Sequence, residues 1–240
     1  MTPLNLVCGG RGLDILCFGA HSDDIEIGLG GTILSLVEAG AIRSIAWCVL
    51  SAVGQREIEA ERSAKDFLGT GCERQIRLGK FEDTYFPAQS RAIKEWMLDI
   101  RSAYCPDLIF THGRGDAHQD HREVNTLTWN VFRDHLIMEY EIPKWDGDLG
   151  QPNFYYPVSE AVMEAKLERL DRNFGSQRSK DWFDPDTFRG LARLRGMECR
   201  APERYAEAFT IRKVVLGVNT SAAPPDAKLA ECTERLLEPV

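Results

Sequence analysis

Four of the chain's five histidines fall in two short polar segments. The first runs Gly19-Ala20-His21-Ser22-Asp23-Asp24-Ile25-Glu26. The second runs Thr111-His112-Gly113-Arg114-Gly115-Asp116-Ala117-His118-Gln119-Asp120-His121. Neutral imidazoles and carboxylates are ligand types that zinc accepts, and a catalytic zinc takes three of them and keeps a position for water. His118 and His121 are three residues apart and share a face if a helix begins there. His21 and Asp24 have the same spacing across a strand-to-helix turn. A His-Asp-His set with open coordination makes a hydrolytic metal site, and a spare carboxylate and imidazole, Asp23 and His118, remain for acid–base work. Either segment alone has a plainer reading: adjacent Asp residues after a strand often cap a helix, and His-x-x-His is often solvated. Two such turns in one chain shift the balance towards a metal.

The surrounding pattern can bring the segments together, although Asp24 and His121 are 97 residues apart. Asp14–Ala20 is a short apolar run bounded by Gly, the mark of a buried strand. A helix over Gly31–Ala39, a strand over Ile42–Leu50 and a helix over Arg56–Leu68 follow. Gln75–Leu78 reads as a third strand, Ser90–Tyr104 as a helix with an apolar face, and Pro106–Thr111 as another buried strand. Beyond it the sequence predicts a helix over His118–Ile137, a strand over Asn153–Pro157 and a helix over Ser159–Phe174. A helix over Phe188–Gly196 and a strand over Ala206–Val215 come last. Alternating strands and helices predict an α/β fold, a mostly parallel sheet with helices on both faces. Ligands then gather at the carboxyl ends of the strands, where both segments lie.

Composition excludes other classes. Lys and Arg number 29 against 37 Asp and Glu, a net charge of −8. The basic footprint of a nucleic-acid binder is missing. No run of about 18 apolar residues is present to span a membrane. The seven cysteines are odd in number and widely spaced, without C-x-x-C. They predict reduced thiols and a cytoplasmic protein.

Ala20-His21-Ser22-Asp23-Asp24-Ile25-Glu26 resembles the A-H-P-D-D-x-E signature of the PIG-L/LmbE-like deacetylases, and His118-Gln119-Asp120-His121 resembles their H-x-D-H signature. The resemblance covers most of residues 13–217, with Ser22 where the family usually has Pro. It implies a Rossmann-like three-layer αβα sandwich. It also implies hydrolysis of N-acyl groups, mostly acetyl, from N-acetylglucosamine-type sugars or their conjugates, with a divalent metal that is usually zinc. His21, Asp24 and His121 match the metal ligands and Asp23 the general base. His118 matches the imidazole that assists the tetrahedral intermediate, and Asp120 its carboxylate partner. Arg56 matches an Arg that contacts sugar hydroxyls, an i,i+3 surface pair with Glu59 being the alternative. Asp116, with His112, is expected at the mouth of the site as a substrate-binding residue, a turn role being the alternative.

Trp145, Tyr155, Tyr156 and Trp182 are of types that stack on a sugar ring, although core packing suits them equally. Specificity is expected in loops over residues 80–90, 140–157 and 175–190. Gly28-x-Gly30-Gly31 lacks the spacing of a dinucleotide-binding loop and suits close backbone approach instead. The rivals are a metal-dependent phosphoesterase, which usually wants a second metal and more bridging carboxylates, and a module that only binds metal or sugar. The domain is expected over 13–218, after an arm at 1–12 and before a linker and short tail at 219–240. An N-acetylated amino sugar is the expected partner, and homo-oligomerisation is left open.

Overall fold

The computed structural model describes residues 3, 4, 6 and 10–215. Its centre is a seven-stranded sheet of order β3-β2-β1-β4-β5-β7-β6. In chain order the elements are β1 (Leu13–Gly19), α1 (Asp24–Glu38), β2 (Ile42–Val49), α2 (Gln55–Leu68), β3 (Glu73–Leu78), α3 (Ser90–Ala103) and β4 (Leu108–His112). They continue with α4 (Gln119–Val131), β5 (Leu136–Tyr140), β6 (Phe154–Val158), α5 (Glu160–Asn173), α6 (Pro185–Cys199) and β7 (Tyr205–Thr210). The first five strands in the sheet order run parallel, while β7 pairs antiparallel with both β5 and β6.

Alternation along the buried strands explains the three layers. Ile15, Cys17, Trp47, Val49 and Phe110 point into a core covered by α1, α2, α5 and α6. Leu16, Phe18, Ala46, Cys48 and Ile109 point into the opposite core, under α3 and α4. Successive side chains of a strand face opposite sides, so a strand buried on both faces reads as a continuous apolar run. The chain leaves β1 towards β2 and returns from β3 to β4, so the order reverses between β1 and β4. Such a reversal opens a crevice at the carboxyl ends of the two strands. His21–Asp24 follows β1 and His112–His121 ends β4, which sets both segments at that crevice.

Several expected boundaries differ. Helix α1 begins at Asp24 rather than Gly31, and the glycines lie inside it. The helix predicted over His118–Ile137 ends at Val131, and Leu136–Tyr140 is a parallel strand. Its run Leu-Ile-Met-Glu-Tyr carries no breaker and is too short for periodicity to separate strand from helix. Cys105 is disulfide-bonded, against the expectation of reduced thiols, whereas Cys17, Cys48, Cys72 and Cys199 are free. No helix among the described residues is long and apolar enough to cross a membrane. The linker and tail expected at 219–240 lie outside the described residues. The arm expected at 1–12 is fastened at its end by Arg11, which donates to Asp14 and, in a bidentate pair, to Asp107.

Helix α1 is broken at Leu29, where φ is −147° and ψ 16°. The freed backbone groups are taken up by a buried ion pair. Lys166 donates to Ile27 O at 2.6 Å, and Glu207 accepts from the N–H groups of Gly31 and Thr32 at 2.8 and 2.6 Å. Lys166 and Glu207 are themselves 2.6 Å apart. The glycines let neighbours approach the backbone: a Cβ on Gly28 would lie 2.3 Å from the Tyr140 ring. That ring is fully buried, and its hydroxyl donates to Phe18 O at 2.6 Å, so it has little room to move. Gly28→Ala is therefore expected to destabilise the chain by about 1–3 kcal/mol or more, the cost of over-packing a tight core. Thermal denaturation checks this, and an unchanged midpoint would show that Tyr140 can yield.

Candidate metal centre

Strand pairing holds the first turn in place. Ser51 N–H donates to Ala20 O at 2.9 Å, continuing the β1–β2 ladder past Gly19. The chain then turns into α1, and His21 N–H donates to Asp24 Oδ2 at 2.6 Å. Asp23 occupies the N-cap position, yet its side chain makes no capping bond. The plain capping role therefore does not account for it. Ser22, in place of the usual Pro, is fully buried, and its hydroxyl lies 3.5 Å from Ser51 O. On the other side, His118 caps α4, its Nδ1 accepting the Asp120 N–H at 3.2 Å.

Three of the predicted residues meet. His21 Nδ1 lies 3.2 Å from His121 Nε2 and 3.4 Å from Asp24 Oδ2, and His121 Nε2 lies 3.6 Å from Asp24 Oδ1. All three residues are buried. The outer ring atoms have partners of their own. His121 Nδ1 faces Asp116 Oδ2 at 2.9 Å. His21 Nε2 faces Asp83 Oδ1 at 2.9 Å and Asp120 Oδ2 at 3.3 Å. With a proton on each outer nitrogen, two imidazole lone pairs and a carboxylate converge on one point, which a cation resolves. Tetrahedral zinc with bonds of about 2.0–2.1 Å has ligand–ligand edges of about 3.4 Å, so the donor set fits. Outer partners of this kind fix the tautomer and orientation of metal-binding imidazoles.

Burial opposes a charge on His21, but Asp24, Asp120 and Asp83 around it outweigh burial and raise its pKa well above the usual imidazole range, so the anionic surroundings favour a positive charge at this point. Burial opposes the charge on Asp24, but His121, His112 and His21 around it outweigh burial and hold its carboxyl well below the usual range. For Asp23 burial wins: with Asp24 beside it, the carboxyl is raised despite Arg56 and His21. Arg56 donates to Asp23 Oδ1 at 3.1 Å, whereas Asp23 Oδ2 is buried with no hydrogen-bond partner. His118 is half-buried; burial and the neighbouring His21 lower its pKa, against the pull of Asp120, Asp24 and Asp116.

Other expected residues lie nearby in different arrangements. The Asp120 carboxylate does not hold the His118 ring, whose Nδ1 takes the Asp120 backbone N–H instead. The carboxylate oxygens accept the Thr84 and Phe86 N–H groups at 2.7 and 3.1 Å and face His21. His112 is not at an open mouth, whereas Asp116 lines an open cavity with Arg114, Glu139, Lys144 and Asp148. Asp116 is buried, between His121 Nδ1 and Lys144 Nζ, the latter at 3.0 Å. His112 is fully buried beneath Asp24, with Nε2 accepting the Ala20 N–H at 2.9 Å. Arg56 pairs with Asp23 and, at 3.6 Å, with Asp83. Glu59, the alternative partner of Arg56, accepts from Ser176 N and Oγ instead.

Asp83 was not singled out by its sequence. Its side chain is 47% exposed and belongs to the loop between β3 and α3. The next residue, Thr84, has φ of +70°, costly for a β-branched side chain. Asp120 and Gln119 hold the Thr84 backbone there. No local sequence signal marks an Asp whose partners are His21 and Arg56. Three further overlapping groups could ligate an ion, Asp24 with His112 and His121, His21 with His118 and His121, and His21 with Asp83 and Asp120. In the first, the His112 Nε2 lone pair is already engaged by Ala20.

Residues 16–132, which carry both segments, match the family described as PIG-L, GlcNAc-PI de-N-acetylase. The chain resembles this family over those residues, just under half of its length, with both polar segments inside the match. It is 29% identical over 170 residues to the uncharacterized deacetylase YaiS of Escherichia coli K12, covering 66% of this chain and 89% of that protein. It is 28% identical over 200 residues to the diacetylchitobiose deacetylase of Thermococcus kodakarensis, covering 70% of this chain and 71% of that one. Among solved structures, the N,N'-diacetylchitobiose deacetylase of Pyrococcus horikoshii superposes with a TM-score of 0.66 at 22% identity, over 85% of each chain. A 4-carboxy-2-hydroxymuconate hydratase of Pseudomonas putida KT2440 superposes equally well, TM-score 0.66, at 15% identity, over 87% of this chain and all of that one. The fold therefore serves more than one reaction, and the chemistry of this chain rests on its site.

Proposed function

We propose that this chain hydrolyses the N-acetyl group of an N-acetylglucosamine-type sugar or conjugate, with a divalent ion, zinc first among them, held by His21, Asp24 and His121. The observation that carries the reading is the convergence of three buried donors beside a carboxylate oxygen, Asp23 Oδ2, that has no partner. The curated relatives point the same way, one being a diacetylchitobiose deacetylase.

A bound divalent ion lowers the pKa of water from about 15.7 towards about 7 and polarises an acyl oxygen. The protein's own groups do the rest. Asp23, steered by Arg56 at Oδ1, accepts the proton of the attacking water at Oδ2. As the C–N bond breaks it returns that proton to the amine nitrogen, giving acetate and a free amino sugar. His118 Nδ1 accepts the Asp120 N–H, which leaves the proton of the neutral ring on Nε2. That Nε2–H donates to the developing oxyanion without the ring being charged. Asp120 orients His21 and Asp116 orients His121. Arg56 and Asp83, both partly exposed, are the groups for sugar hydroxyls.

The test is release of acetate and of free amine from a panel of N-acetylated amino sugars by metal-loaded protein, with phosphate release from sugar phosphates and nucleotides measured alongside. Deacetylation without phosphate release is expected. Phosphate release without deacetylation would overturn the reading. Asp116→Asn bears on the metal directly, because Asn cannot hold the His121 tautomer as a carboxylate does. It is expected to weaken metal affinity about 10–100-fold, read by competition with a chelator. Unchanged affinity would remove Asp116 from the site.

A further inference from the structure

The proposed hydrolysis leaves one buried imidazole without a role. His112 ends β4 and is fully buried, and its Nδ1 is enclosed with no hydrogen-bond partner. An apolar side chain would fill that space at lower cost if packing were the only task, because burying an unpaired polar atom is unfavourable. The strand pairing around it points to a different task. The β1–β4 ladder ends at Cys17 and Phe110, and beyond it the two strands part to form the crevice. Past that point Ala20 N–H donates to His112 Nε2 at 2.9 Å. A side chain therefore continues the join that the two backbones give up. Ala20 directly precedes His21, and its carbonyl accepts the Ser51 N–H at 2.9 Å. The residue before His21 is thus held from both sides. The same His112 Nε2 lies 3.2 Å from Asp24 Oδ2.

The ring also reaches His121. The His112 and His121 centroids are 3.9 Å apart with planes at 21°, and His118 lies nearly parallel to His121 as well, at 4.7 Å and 27°. His112 is itself held firmly. It pairs with Tyr140 in the β4–β5 ladder, the Tyr140 ring centroid is 4.8 Å away, and Asn125 of α4 donates to its carbonyl at 2.7 Å. One fixed imidazole therefore meets the residue before His21, the Asp24 carboxylate and the His121 ring. We propose that His112 is a positioning residue of the metal centre, joining the His21–Asp24 turn to β4 through Ala20 and setting the plane of the His121 ring. The role rests on the metal reading above and gives His112 no bond to the ion, since Ala20 engages its Nε2 lone pair. Groups that orient the ligands govern metal affinity as the ligands themselves do.

The experiment measures the zinc affinity of the full chain by competition with a chelator, below the melting midpoint of each variant. His112→Phe keeps a ring but removes the acceptor, and His112→Gln places an amide oxygen near the Nε2 position. Affinity is expected to fall about 10–100-fold in His112→Phe, and His112→Gln should recover most of that loss. A purely structural role would lower Tm and leave the affinity of the folded chain unchanged. Nitrogen-detected NMR of the wild type gives a readout that needs no variant. A scalar coupling across the hydrogen bond between Ala20 N and His112 Nε2 is expected, before and after zinc is added. Wild-type affinity in His112→Phe would overturn the role, as would absence of that coupling or a zinc-bound signal from His112 Nε2, which would make it a ligand. If His112→Phe does not fold, the spectra decide. A wild type that takes up no zinc overturns the metal reading and this role with it, whereas equal uptake by wild type and His112→Phe overturns the role alone.

Discussion

Asp23→Asn is expected to retain its metal while kcat for acetate release falls by about 10²–10⁴-fold, the usual worth of a general acid–base group. The substitution keeps the shape of the side chain and an oxygen for Arg56, which now donates to Asp23 Oδ1. It removes the one feature that makes Asp23 unlike its neighbour, a buried carboxylate oxygen with no partner. Asp24 is placed differently. It accepts the His21 N–H and lies within 3.6 Å of nitrogens on His21, His112 and His121. Asp24→Ala should therefore lose metal and activity together. Metal content and kcat measured side by side separate the cases. Loss of metal from Asp23→Asn with retention by Asp24→Ala would reverse the two roles, and near-normal kcat in Asp23→Asn would remove it as the base.

The residues that could do chemistry were legible in the sequence because their types are scarce and their position is fixed by the fold. Histidines concentrated after two apolar runs had to lie at strand ends, and the crevice between β1 and β4 brings such ends together. What was not legible depends on contacts that no local spacing encodes. Asp120 sits in the first turn of α4 two residues after His118, and the family resemblance implied a pair. Its carboxylate turns instead to the Thr84–Phe86 backbone and His21, because that loop from the far side of the sheet edge offers it two N–H donors. His112 ends β4 and looked like a rim residue, but the β4–β5 pairing and Tyr140 enclose it. Asp83 has no signal of its own. The α1 start was misplaced because Gly28, Gly30 and Gly31 discourage a helix locally. Tertiary packing overrides that preference, since Tyr140, Phe67 and Glu207 occupy the space that Cβ atoms would need.

The same glycine-rich helix gives the largest expected effect on stability. Glu207→Ala removes four contacts at once: the ion pair with Lys166, the bonds to the Gly31 and Thr32 N–H groups, and the bond to Thr32 Oγ1. It leaves the Lys166 ammonium buried with Ile27 O as its remaining bonded partner, and two helix N–H groups beyond the break at Leu29 without acceptors. Removing one member of a buried ion pair costs about 3–5 kcal/mol, because the surviving charge is uncompensated. For a chain of this size that corresponds to a fall of about 10 °C in Tm. The double variant Lys166→Met/Glu207→Leu removes the stranded charge and fills the space with apolar groups of similar volume. It should therefore recover part of the loss, though not all, since the Gly31 and Thr32 N–H groups stay unpaired. Thermal melts of the wild type, the single variant and the double variant decide this. A single variant as stable as the wild type would show that water reaches the break in α1. A double variant no more stable than the single one would show that the lost acceptors for the two N–H groups, rather than the unpaired ammonium, dominate the cost.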